Sequence, residues 1–524
     1  MKDAEGRLDL DFALRAGAGL VVLCGCAAAL VAVALALGVA ERDQPAVEAT
    51  RVALAANEIA RERAPRGQAP SPANRDAAGR SDRNPVDWEP ADEGRLSARA
   101  ARAYSHVIYQ KSPGGVVASA RRTGRWRQEI EVAARNRDID PKTLEAVIFL
   151  ESAGRVDAMA GPTPEAASGL GQIIPSTATD VLGLGLDLAR SIELTAAIAK
   201  AQSEGKRGLV RDLEAERAQV DERFDPRKAI EGSALYLREA IDFFGREDLA
   251  IASYHMGIGN LDGVLRSYAG VGGGGSTADL VASERLSYAR VYFDSGLDSH
   301  AETWSTLSSF GDESSAYLWK IIASKQILER AREDPDGLAR TAELARAKAT
   351  MEEVFHPEEE TQVFDDDGEL KAAIDGGELL PLPASPRLGW IVDRQMGELA
   401  PQLDVERRLY RALRPEALAT LSYLAGRVSE LSGSERPLRI TSTVRDLPYQ
   451  ELLQGTNPEA TLEYSLHTTG WSFDVLRDYE DDRQAEAFQF TLDRMRAAGL
   501  LDYAVESAAI HVTVSEQGGE LLGN

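Results

Sequence analysis

The chain has 524 residues, 84 of them acidic and 59 basic, for a net charge of −25. A length of this order divides into about two to four domains, and 44% hydrophobic residues suffice for packed cores, which excludes a wholly disordered protein. The acidic balance excludes a general nucleic-acid binder, since no basic excess is left to neutralise phosphates. The two cysteines, Cys24 and Cys26, share one apolar stretch, so a disulfide framework, a cysteine zinc site and a cysteine nucleophile are excluded from the rest of the chain.

Residues 1–15 read as a short cytoplasmic tail containing Lys2, Arg7 and Arg15, followed by an uncharged run over 16–40, AGAGLVVLCGCAAALVAVALALGVA. At ~1.5 Å per residue, such a run crosses a ~30 Å hydrocarbon layer with some tilt. It reads as a transmembrane anchor, with the basic residues ahead of it on the cytoplasmic side. A cleaved signal peptide and a lipidation site at Leu23-Cys24-Gly25-Cys26 are the alternatives. All three send the remainder out of the cytoplasm.

Residues 41–120 are rich in Arg, Ala, Asp, Pro and Ser and show no sustained apolar period, so a disordered linker is expected. Its r.m.s. reach as a flexible chain would be roughly 45–50 Å. Residues 121–345 have helical periodicity, with an inserted charged hairpin over 187–223, a Gly run at 271–276 and a helical extension over 277–345. Residues 346–386 turn acidic and read as a second linker, in which Asp365-Asp366-Asp367-Gly368 is a solvated turn because calcium-loop spacing is missing. Residues 387–524 mix strands (LRITSTV, AIHVTV) with a helix carrying Phe488, Leu492 and Met495 and ending at Gly499. The expected fold is multidomain: an N-terminal transmembrane helix, a mainly α domain and a C-terminal α+β domain.

In DPKTLEAVIFLESAG, Asp140 suits the N-cap and Pro141 the first helical position. Leu144, Val147 and Ile148 mark an apolar stripe, and Glu151 falls next on it. A desolvated carboxylate favours its protonated form, which is what general-acid cleavage of a glycosidic bond requires. Taken alone, a glutamate at a frayed helix end that reaches water is the commoner reading. Further on come ASGLGQIIPSTA (167–178), FDPRKAIEGSALYL (224–237) and LAIASYHMGIGNL (249–261). In this order and spacing, residues 125–268 resemble the SLT lytic transglycosylases, relatives of goose-type lysozyme.

The resemblance implies a lysozyme-like domain with Glu151 as its sole catalytic carboxylate. Glu151 would protonate the oxygen between N-acetylmuramic acid and N-acetylglucosamine, then accept the muramoyl 6-hydroxyl proton as a 1,6-anhydro ring closes. No cofactor is needed. Substrate-binding positions carried over are Ser168, Gln172, Tyr254 and His255, with Gln172 lining the sugar groove and Tyr254 hydrogen-bonding near Glu151. Two residues depart from the family pattern: Gly171 stands where Met is frequent, and His255 where Asn is usual.

Of six histidines, His467 and His511 lie in the C-terminal domain. His511 alternates with Ile510 and Val512, which puts it on the face opposite the apolar one. Two imidazoles, the carboxylate of Asp474 and an open position suit catalytic zinc; two unrelated surface histidines are the bland alternative. The run Ser465-x-His467-x-x-Gly470-x-Ser472-x-Asp474, with ITSTVRDLPYQELL upstream, resembles the zinc D-Ala-D-Ala carboxypeptidases of VanY type and the related hedgehog fold, over 435–515. The resemblance implies that His467, Asp474 and His511 hold Zn²⁺ and that Arg445 stabilises an oxyanion or a substrate carboxylate. The family's general-base glutamate stands three residues before the last histidine, where this chain has Ala508. Glu506, two residues earlier and expected on the same strand face, is the candidate replacement.

Both resemblances point to one polymer, peptidoglycan: one to its glycan strands, the other to its peptide stems. The implied protein is a membrane-tethered lytic transglycosylase of the bacterial cell envelope, with its catalytic domains in the periplasm. A goose-lysozyme-type hydrolase and a non-catalytic wall-binding scaffold are the alternatives.

Overall fold

The computed structural model describes residues 44–61, 84–455 and 464–523. The uncharged run at 16–40, expected as an anchor, lies outside them. Among the described residues no helix is long and apolar enough to cross a membrane.

Helix Pro141–Ser152 shows how local sequence builds the helical part. Asp140 accepts from the Lys142 N–H at 3.0 Å, and Pro141 occupies the first turn, where no donor is needed. Leu144, Ala146, Val147, Ile148 and Phe149 are buried. The helix stops because Ala153 (φ 52°) and Gly154 (φ 72°) turn left-handed. Gly154 also permits close packing, since a Cβ there would lie 2.5 Å from the Thr123 backbone nitrogen. Arg122 and Trp126 donate to the carbonyls of Ala153 and Gly154, each at 3.1 Å, and fix the helix end that carries Glu151.

Helices Arg127–Asn136, Pro226–Phe244 and Tyr317–Glu333 pack around this helix, and Glu247–Met256 packs on the last two. The charged hairpin is formed by Leu188–Ser203 against Arg207–Val220. Its base is held by Asp221 and Arg223, fully buried and paired at 2.8 Å. Arg223 also donates to the carbonyls of Pro164, Ala166 and Ile173 at 2.7, 3.3 and 3.1 Å. With its donors satisfied, this ion pair clamps the loop between Glu151 and the hairpin.

Among the described residues the C-terminal part contains seven strands: β1 (Leu380–Pro381), β2 (Trp390–Val392), β3 (Ala412–Leu413), β4 (Leu438–Ser442), β5 (Ser472–Leu476), β6 (Leu501–Val505) and β7 (Ala509–Val514). Five form one sheet of order β2-β4-β5-β7-β6, with β2 parallel to β4 and the other pairs antiparallel. β1 and β3 form a separate antiparallel pair. On β7, Ile510 and Val512 are buried and His511 faces the other way. The β5–β7 register sets His511 opposite Asp474.

Two expectations need correction. The linker read over 41–120 contains packed helices. Gln44–Arg61 lies on Pro415–Ser432, burying Ala49, Val52, Ala53, Ala56 and Ala60, and Asn57 donates to Leu388 O and Ser422 O, both at 3.1 Å. Glu93–Lys111 packs on Tyr317–Glu333 and on Asp482–Ala497. The apolar stripe of the first helix is mostly alanine, so its amphipathic signal is weak although its shape allows close approach. The acidic stretch 346–386 likewise forms a strap on the sheet. Glu352, Glu353, His356 and Phe364 are buried, the Met351 N–H donates to Asp502 Oδ2 at 2.9 Å, and His356 Nε2 meets Val514 O at 2.7 Å.

The helical and α+β parts share a core. Arg494 is buried at their junction, where it donates to Ser295 O at 2.6 Å and lies 4.5 Å from the Tyr292 ring centre. Arg427 pairs with Asp298 at 3.0 Å.

Candidate functional site

Glu151 sits at the last turn of its helix with its carboxyl part-buried. The Tyr317 hydroxyl donates to its Oε1 at 2.5 Å. Tyr317 is itself buried and opens helix Tyr317–Glu333. Its ring is stacked on Tyr254, with centroids 6.0 Å apart and planes 6° apart, and the His255 ring lies 5.5 Å from it, tilted by 32°. Burial pushes the Glu151 carboxyl up to about 7; the Tyr317 bond opposes this, nearby Glu313 adds to it and Lys320 opposes it. Glu313 is itself paired with Lys320 at 2.9 Å. A carboxyl held there is about half protonated at neutral pH, so it can give a proton and take one back.

Tyr254, expected to hydrogen-bond near Glu151, donates instead to Gly171 O at 2.9 Å and lies 3.0 Å from Ser233 Oγ. Its ring stacks on Tyr317, which bonds Glu151, and the Glu151 charge also acts on its hydroxyl. Gly171 has no room for a side chain, because a Cβ would lie 2.1 Å from Ser233 Oγ and 3.0 Å from the Tyr254 hydroxyl. The space that a larger residue would fill is taken by these two hydroxyls.

Gln172, at φ 47°, donates its amide to Ala158 O at 3.1 Å and Gly169 O at 2.9 Å, so it braces the loop while remaining part-exposed. Ser168 is fully buried and donates to Ala166 O at 3.0 Å, while its backbone exchanges hydrogen bonds with Ile173. The expectation that Ser168 touches substrate is corrected: with no exposed surface, it shapes the loop from inside. His255 is exposed, with Nδ1 2.8 Å from Ser314 Oγ.

Sequence reasoning missed Tyr317, which stands 166 positions from Glu151 in the extension read only as helical. No spacing rule links the two. The aromatic start of YLWKIIASK was the one visible cue.

The second cluster lies on interior strands of the sheet, where the strap meets it. His467 comes from the turn Leu466–Thr468, Asp474 from β5 and His511 from β7. His467 Nε2 is 3.2 Å and His511 Nδ1 2.9 Å from the same oxygen, Asp474 Oδ1. Thr443 O, which can only accept, lies 2.9 Å from His467 Nδ1 and so draws the proton to that nitrogen. The His467 Nε2 lone pair then faces a carboxylate oxygen, an arrangement that suits a cation between them. One ligand atom from each of the three residues lies within 4.8 Å of the others. Two imidazoles and one carboxylate so placed are a donor set that could hold a metal ion.

Burial lowers His467, and Arg445 lowers it further. Burial opposes the charged forms of Asp474 and His511, yet His467 first and His511 second hold Asp474 far below the ordinary carboxylate range. Bonds to Asp474 and Glu352 hold His511 up at about 10.

Arg445 flanks this cluster. Its guanidinium donates to Ser442 Oγ at 2.5 Å and Gln450 Oε1 at 2.9 Å and lies 3.8 Å from Asp474 Oδ2. Glu506 does not share a strand face with position 508, because β6 ends at Val505 and residues 506–508 form the hairpin turn into β7. The expected strand placement is corrected there. The charge of Glu506 still acts on Arg445. A second residue missed from sequence is Glu352, in the strap, whose Oε2 is 3.4 Å from His511 Nε2.

Residues 201–271 match the family model described as the Transglycosylase SLT domain. The matched span runs from the hairpin through helix Ile258–Ala269 and includes Tyr254 and His255, while Glu151 and Gln172 precede it. Over these residues the chain is similar to SLT transglycosylases, and the likeness supports a lytic transglycosylase acting on peptidoglycan. No curated protein matches the chain, and no solved structure does.

Proposed function

We propose that this chain cleaves the bond between N-acetylmuramic acid and N-acetylglucosamine in peptidoglycan, with formation of 1,6-anhydro ends. The observation that carries the reading is the part-buried Glu151 carboxyl, held at about 7 and bonded to the fixed Tyr317 phenol. The protonated carboxyl gives its proton to the bridging oxygen as the C1–O bond breaks. The carboxylate so formed takes the proton of the 6-hydroxyl while O6 closes on C1. The proton cycles and no water is consumed. Tyr317 orients the carboxyl and stabilises its ionised form at the moment it must act as base. Glu313 is engaged with Lys320, which fits a single-carboxylate scheme rather than the usual pair. Gln172 and Tyr254 hold the loop beside the acid, and His255 lies at its exposed rim.

In the same reading, the run at 16–40 tethers the protein to the membrane with its folded part outside the cytoplasm, in the envelope where peptidoglycan lies. His467, Asp474 and His511 would hold Zn²⁺, which supplies polarisation of an amide carbonyl or activation of water. Arg445 is placed to meet a carboxylate of a stem peptide, and Glu506 in the hairpin turn is the candidate base. The metal reading rests on the shared Asp474 oxygen and on the His467 proton drawn to Thr443.

The test is digestion of purified sacculi by the full chain, with fragments identified by mass. Wild type yields anhydro ends and Glu151→Gln yields none. Reducing ends would instead mark a hydrolase of goose-lysozyme type. Clearing that survives Glu151→Gln would mark a scaffold that acts without chemistry.

A further inference from the structure

We infer that Glu352, carried by the strap between the two parts of the chain, is a positioning residue of the metal cluster, fixing His511 so that Nδ1 is the nitrogen offered to the metal. The inference rests on the metal reading above and extends it to a residue outside the segment that resembles the zinc peptidases.

Three observations carry it. First, the two nitrogens of His511 face different partners: Nδ1 lies 2.9 Å from Asp474 Oδ1, and Nε2 lies 3.4 Å from Glu352 Oε2. When a metal displaces one of the two His511 protons, a carboxylate at Nε2 keeps the remaining proton at that edge and leaves the Nδ1 lone pair toward the cluster. This is how an outer carboxylate sets the tautomer of a metal-binding histidine. Second, Glu352 is only 8% exposed, and a carboxylate so buried needs a partner; among the described residues its ion-pair partner is His511. Third, the strap holds Glu352 from both sides. Upstream, the Met351 N–H donates to Asp502 Oδ2 at 2.9 Å. Downstream, His356 meets Val514 O at 2.7 Å, stacks on Trp471 at 4.3 Å, and accepts the Tyr464 hydroxyl on its carbonyl at 2.9 Å. Glu352 is thus fixed against the sheet. One competitor exists: Thr513 Oγ1 also lies 3.4 Å from His511 Nε2.

The consequence is that the metal centre is completed by a residue from the stretch that joins it to the helical part. Its two shells lie on opposite sides of position 387, where sequence patterning starts a new domain.

The experiment uses the full chain and zinc alone. Zinc affinity is measured by competition with a chromogenic chelator for wild type, Glu352→Gln, Glu352→Ala, Glu353→Gln and Thr513→Val. The His511 tautomer is read from imidazole nitrogen shifts in the zinc-loaded protein. Loss of an outer carboxylate costs about 10–100-fold in metal affinity. We expect a loss in that range for Glu352→Ala, a smaller one for Glu352→Gln, which keeps an acceptor without charge, and wild-type affinity for Glu353→Gln. The wild-type tautomer is protonated at Nε2, and Glu352→Ala mixes it. Should Glu352→Ala unfold, the Gln variant and the nitrogen shifts still decide. Unchanged affinity and tautomer in both Glu352 variants would overturn the inference, as would loss confined to Thr513→Val. A wild type that binds no zinc would overturn the metal reading itself.

Discussion

Replacing Tyr317 with phenylalanine removes one hydroxyl and leaves the ring stacked on Tyr254. The hydroxyl donates to Glu151 Oε1 at 2.5 Å and favours the ionised carboxyl, so its loss raises the Glu151 pKa above about 7. A hydrogen bond to a charged group is worth about 1.5–3 kcal/mol, and one pKa unit corresponds to about 1.4 kcal/mol. Because Glu151 retains some contact with solvent, the low end applies, and the expected rise is about one unit. The proposed chemistry needs Glu151 protonated at the start. The basic limb of the kcat/KM profile on sacculi should therefore move up by about one unit. The maximal rate should fall, since the carboxylate that must act as base loses its donor. A basic limb that stays in place, with or without a loss of rate, would refute the claim that Tyr317 tunes this acid.

Further outcomes follow from the same contacts. Because the Glu151 pKa is raised above its ordinary 4.5, the favourable neutral form is fully present below that pH and is lost as pH rises through about 7. Glu151→Gln, which cannot ionise, should match wild type at pH about 4 and be more stable at pH about 8, by at most ~3 kcal/mol, in denaturant unfolding. Arg223→Met leaves Asp221 buried without its cation and should cost about 3–5 kcal/mol in the same assay. Adding Asp221→Asn should recover part of that loss. Gly171→Ala puts a methyl against Ser233 Oγ and the Tyr254 hydroxyl and should cost about 1–3 kcal/mol along with lytic activity. The double variant with Ser233→Ala should regain some of both.

The helix bearing Glu151 was legible from Asp140, Pro141 and the apolar stripe, because capping and burial act over neighbouring residues. The triad was legible in part, because alternation on β7 shows the face of His511 and a short spacing joins His467 to Asp474. Long-range partners were not. Tyr317 and Glu352 reach their sites through packing of distant elements, and beyond the aromatic start of the Tyr317 helix their local sequence does not encode that approach. The helix Gln44–Arg61 was hidden by its alanine face, which packs through shape with little hydrophobic contrast. The strap was hidden because buried glutamates look like solvated ones until their partners are known. Glu506 was misplaced because the alternation of β6 stops one residue before it, where the turn to β7 begins.

The account stands on the protonation of one carboxyl, and a direct titration reads it. In full-length protein labelled with ¹³C at glutamate side-chain carboxyls, the resonance absent from Glu151→Gln is Glu151. Its midpoint should fall at about 7 and rise in Tyr317→Phe. A midpoint near 4.5, unmoved by the loss of the phenol, would show an ordinary solvated glutamate and contradict the account.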